Sequence, residues 1–75
     1  MDNALKTRLA GALRARPAGP FHFRDLYGPG WDALYIGDKV KLGNAFLRLV
    51  RDGDFPGLRD TGRKAGGGRV YEKTG

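Results

Sequence analysis

Between Lys39 and Asp52 the chain sorts its residues by chemistry at a helical period. At 100° per residue, Leu42, Gly43, Ala45, Phe46, Leu47, Leu49 and Val50 fill one broad arc. Lys41, Asn44, Arg48 and Arg51 recur at i, i+3, i+7 and i+10, in one narrow stripe on the opposite side. A strand, with its period of two, cannot produce that separation. Asp38 is placed to cap the helix through its carboxylate, and Gly53 to end it. A helix with so wide an apolar arc has to be covered by other elements, and the rest of the chain must supply them.

The first cover is a second amphipathic helix, from Asp2 to Arg16. Asp2 or Asn3 can cap it, and Leu5, Leu9, Ala12 and Leu13 share one face at spacings of three and four. Gly11 costs this helix about 1 kcal/mol relative to Ala, so it depends on packing. Pro17, Gly19 and Pro20 end it. Phe21-His22-Phe23 then reads as a minimal strand, both Phe inward and His22 outward as a surface imidazole. Arg24 to Tyr27 forms a helical turn closed by Gly28-Pro29-Gly30. After the 39–52 helix, Leu58 to Thr61 and Arg69 to Lys73 are candidate strands, with Val70 and Glu72 on one face of the latter. Gly62 to Gly68 joins them as a glycine-rich basic tip, mobile by composition.

This order predicts one α+β domain over residues 1–75, a small winged helix-turn-helix with three helices, a short antiparallel sheet and a basic wing. The N-terminal helix takes 1–16, the helix-turn-helix part 21–57, and the wing hairpin with the C-terminal strand 58–75. Strands one and three are expected to pair around the middle strand. The expected core is Phe21, Phe23, Leu26, Leu42, Phe46, Leu49 and Val50 with Leu5, Leu9 and Leu13. At 75 residues such a chain buries roughly 60–65% of its unfolded surface, enough for one core but not for a core, a deep pocket and a large catalytic lid together.

The pattern Phe21-x-Phe23-x-Asp25-Leu26-Tyr27, then Trp31, Leu42-Gly43-x-x-Phe46, Pro56-Gly57-Leu58, Gly62-Arg63-Lys64 and Tyr71 resembles a family of very short bacterial and phage proteins. That family is a domain of unknown function with a winged-helix-like outline, sometimes labelled single-stranded DNA-binding protein. The resemblance runs from about Phe21 to Lys73. Its positions are mainly aromatic and glycine, so it implies a fold and a phage or mobile-element association. It carries over no catalytic residue.

Enzyme chemistry lacks its parts. The chain has no cysteine and one histidine, which leaves no thiolate nucleophile and no Cys- or His-based metal site. Gly66-Gly67-Gly68 does not have the spacing of a phosphate-binding P-loop, and Asp52-Gly53-Asp54 is too short for a calcium loop. No enzyme activity, cofactor or metal is therefore expected. No run of residues is apolar enough to span a membrane or to serve as a signal peptide, so the cytoplasm is the expected location.

Charge points to the partner instead. Fourteen Lys and Arg against eight Asp and Glu leave a formal +6 and a pI near 10.2. The expected nucleic-acid contacts are Lys41, Asn44, Arg48 and Arg51 on the helix, and Arg63, Lys64 and Arg69 on the wing. The helix would offer base-reading geometry through Asn44 or Arg48, and the wing phosphate contacts. Trp31, Tyr27 and Tyr35 are candidate stacking platforms, although an aromatic beside a Gly-Pro-Gly turn more often plugs a core. The expected function is a small basic regulator that binds nucleic acid, DNA rather than RNA. The alternative is a phage-encoded inhibitor of a host defence complex, of anti-CRISPR type, docking on an acidic or nucleic-acid-gripping protein surface. In either case the first helix could support a homodimer.

Overall fold

The computed structural model describes residues 1–74 and has the element order helix, strand, helix, helix, strand, strand. Helix α1 runs Asn3–Ala15, strand β1 Gly19–His22, helix α2 Phe23–Tyr27 and helix α3 Ile36–Arg51. Strands β2 (Leu58–Ala65) and β3 (Gly68–Lys73) follow, and a single 3-10 turn at Trp31–Ala33 links α2 to α3. The fold is α+β, three helices against a three-stranded antiparallel sheet.

Local chemistry explains most of the boundaries. Asp2 caps α1, its carboxylate accepting from the Ala4 N–H at 2.8 Å. At the end of α3 the N–H of Asp54 reaches Leu49 O and that of Gly53 reaches Val50 O, the paired bonds that close a helix around a glycine. The start of α3 differs from expectation. The helix begins at Ile36 with Tyr35 in the capping position, and Asp38 lies in its first turn. A carboxylate there still favours the positive end of the helix dipole. The strand expected at 21–23 runs over Gly19–His22, and Phe23 opens α2 instead. The carboxylate of Asp25 accepts from the His22 N–H at 3.2 Å and so turns the chain into that helix.

The sheet order is β1-β3-β2, so the last strand is central, not the middle one. Gly19 to His22 pair with Lys73 to Val70 on one side of β3, and β2 pairs on the other. The expected mobile tip over 62–68 is not a loop: β2 continues to Ala65, and only Gly66 and Gly67 turn. Both have positive φ, 60° and 91°, which is what a tight two-residue hairpin turn needs and what glycine provides without a Cβ penalty. Between Asp60 and Lys64 the register slips, forming a bulge at Gly62, whose φ is 75°.

The core centres on Phe46, which is fully buried. Its ring stacks on Phe23 at 4.4 Å between centroids and meets Tyr71 at 4.9 Å and Phe55 at 5.3 Å. Leu9, Leu13, Phe21, Leu26 and Val50 complete it as expected. Leu5, Leu42 and Leu49 are only half-buried at its margin, whereas Phe55, Leu58 and Tyr71 belong to it and were not expected. Tyr71 enters because β3 is central and its inner face meets α3.

Candidate nucleic-acid interface

The four polar positions expected on α3 are all exposed, as the helical period requires. Lys41 and Arg48 form no salt bridge among the described residues. Arg51 differs, with its guanidinium 3.5 Å from the carboxylate of Asp60 on β2.

On the hairpin, pairing decides which side chains face α3. Lys64 stands opposite Arg69 and Asp60 opposite Tyr71, and directly paired residues project to the same side of a sheet. Tyr71 lies in the core beneath α3, so Lys64 and Arg69 point to the α3 side. Arg63, the neighbour of Lys64, points the other way. Arg69 is not free: its Nη1 donates to both oxygens of Asp60, at 3.1 and 3.2 Å. Asp60, the acid that precedes the basic stretch, thus offsets the charge of Arg69.

Asp60 is a junction. It accepts from Arg69, from Arg51 and, at 3.0 Å, from the N–H of Gly62 in its own bulge. Burial alone would raise its pKa, but the Gly62 N–H and the Arg69 guanidinium outweigh burial and hold the carboxyl below its ordinary 3.8. Beside it, burial, with help from the Asp60 charge, pushes the Tyr71 hydroxyl up to about 12.

The tip is fastened from the other end of the chain. His22 Nε2 lies 2.6 Å from the carbonyl oxygen of Ala65, and Arg24 Nη2 donates to that of Gly66 at 3.0 Å. A carbonyl can only accept, so the histidine nitrogen carries the hydrogen. His22 is thus a clasp on the hairpin and not a free surface imidazole.

Between α3 and the clasped hairpin lies an open groove of about 710 Å³. Phe23, Trp31 and Tyr71 are among its apolar lining, while Arg24, Lys39, Lys64 and Arg69 supply its cations. No Asp or Glu lines it. Of the residues expected in the interface, Asn44, Lys64 and Arg69 meet here; Lys41, Arg48, Arg51 and Arg63 lie outside it. Arg24 and Lys39 went unrecognised. Lys39 could have been found, since a helix that starts at Ile36 brings it close to Trp31, and its ammonium lies 5.9 Å from the indole centroid. Trp31 has both roles: its edge packs on Phe23 and Tyr27, each at 5.4 Å, and it also lines the groove. Tyr27 is half-buried beneath the Arg8 guanidinium, whereas Tyr35 stands clear of the fold.

The model of a domain of unknown function, DUF1413, matches residues 8–73, nearly the whole fold from mid-α1 to the end of β3. The chain belongs to the DUF1413 family. Nothing among curated proteins or solved structures matches it. Every groove residue of this DUF1413 chain falls inside the matched span. No helix is long and apolar enough to cross a membrane, and no cluster of metal-ligating side chains occurs among the described residues.

Proposed function

We propose that this DUF1413 protein is a small winged-helix regulator that binds nucleic acid without catalysis, using α3 as its recognition helix and the β2–β3 hairpin as its wing. The observation that carries the proposal is the groove between those two elements, lined by Arg24, Lys39 and Lys64, which form no salt bridge among the described residues, and by Arg69, which Asp60 pairs from outside the groove. A +6 protein that also keeps Lys41 and Arg48 free of acidic partners attracts a polyanion along this face. The order of helices and strands, with β1-β3-β2 pairing, agrees with a winged helix. DNA is the favoured ligand.

The test is titration with duplex and single-stranded DNA at two salt concentrations. Affinity that falls steeply with salt supports the proposal. Absence of binding at low salt overturns it and turns attention to a protein partner, of the kind an inhibitor of a host complex would grip.

A further inference from the structure

The part of α3 nearest the groove has a second chemistry. Ile36, Val40 and Asn44 follow one another at i, i+4 and i+8, forming one row along the helix. Ile36 keeps 77% of its surface exposed and Val40 keeps 55%. Neither packs against the core, and both stand on a helix whose outer face is otherwise polar. Val40 also lines the groove, and the position one turn on is Gly43, where an added Cβ would meet nothing within 4 Å. The row is therefore unobstructed.

Charges are arranged on both sides of it. On the outer side Lys41 lies 100° around the helix from Val40, and Arg48 follows on the same margin two turns later. On the inner side Lys39 lies 100° around the helix from Val40 in the other direction, and Lys64 projects across the groove from the hairpin, next to Arg69, which Asp60 holds. Asp38, the acid of the first turn, lies on the far side of the helix from Val40. An uncharged strip between two cationic margins matches the major groove of a duplex, where base edges run between two lines of phosphates. A single strand offers one such line, and an acidic peptide has no need of two.

Resting on the nucleic-acid reading above, we propose that Ile36 and Val40 recognise duplex DNA through the 5-methyl groups of thymine. The thymine methyl is the one apolar group on a base edge in the major groove, and aliphatic side chains are its natural contacts. Asn44 then faces a base edge about 6 Å further along the helix, slightly less than two base-pair rises. Its amide is suited to adenine N6 and N7.

The experiment compares an A·T-rich duplex with the same duplex carrying uracil in place of every thymine, which removes only the methyl groups. The thymine duplex should bind about fourfold more tightly for each methyl contacted. Val40→Ala and Ile36→Ala should each reduce that preference without lowering the melting temperature, because both side chains are exposed and Ala favours the helix. Lys41→Ala should weaken binding to both duplexes equally and leave the preference intact. Equal affinity for the two duplexes, with salt dependence retained, overturns this inference and leaves the proposed function standing. Tighter binding to the separated strands than to the duplex also overturns it. If neither duplex binds at low salt, both proposals fall.

Discussion

Asp60 shows how a single side chain can align a groove it does not line. It gathers an arginine from α3, an arginine from β3 and the bulge amide of its own strand, so the angle between helix and hairpin passes through one carboxylate. Its pKa is lower in the folded state than the ordinary 3.8, so its stabilisation is complete above that value and fades as pH falls through the folded value. Acid unfolding followed by circular dichroism should show this loss, and Asp60→Asn should flatten the curve in that range. Tyr71 works at the other end of the scale. An unfolded tyrosine ionises near 10.0, whereas this hydroxyl holds its proton to about 12, so stability should decline as pH rises between those values. Tyr71→Phe removes that decline. At Phe46, with no exposed surface and three aromatic neighbours, truncation to Ala should cost about 3–5 kcal/mol by chemical denaturation. A melting temperature within a few degrees of the parent protein would contradict the position of Phe46 at the centre of the core.

At the scale of elements, the hairpin is where sequence and structure diverge most. Thirteen glycines in the chain, four of them between Gly62 and Gly68, read as a loose tip. Yet β2 extends to Ala65 because β3 pairs with it again at Lys64 and Ala65 beyond the bulge, and the His22 and Arg24 clasp closes over the turn. Both causes lie more than forty residues away or on another strand, where local composition has no access to them. The inner face of α3 was legible because Phe46 and Val50 obey the helical period. Its start was not, because exposed Ile36 and Val40 break the polar pattern that marks an outer face. Among the candidate residues the same division holds: the exposure of Lys41 and Arg48 followed from periodicity, whereas the pairing of Arg69 with Asp60 needed the register. Removing either half of the clasp, by His22→Ala or Arg24→Ala, should cost about 0.5–1.5 kcal/mol. It should also raise the fast motion of the Gly66 and Gly67 amides in nuclear relaxation. Because Lys64 faces α3 and Arg63 faces away, Lys64→Ala should lower the salt slope of DNA binding by about one unit. Arg63→Ala should lower it less.

For the whole molecule, the distribution of charge predicts the overall response to salt. If α3 and the hairpin engage one duplex together, about four to six phosphates are neutralised, and log affinity should fall against log salt with a slope of roughly −4 to −5. The free outer edge of β2 carries Arg59 and Arg63 and a bulge, which discourages pairing with other strands at the concentrations such titrations need. The central position of β3 has another consequence. β1 and β2 do not pair with each other; each is laddered into the sheet through residues 68–73, and the His22 side chain reaches from one to the other at Ala65. A chain emerging from the ribosome can form its helices as they appear, but no strand pair exists until that last segment is free. The sheet then closes in one event, bringing Gly19 to Lys73. Synthesis stalled before residue 68 should leave a helical nascent chain with its aromatic core open, a natural target for chaperones until the final strand arrives.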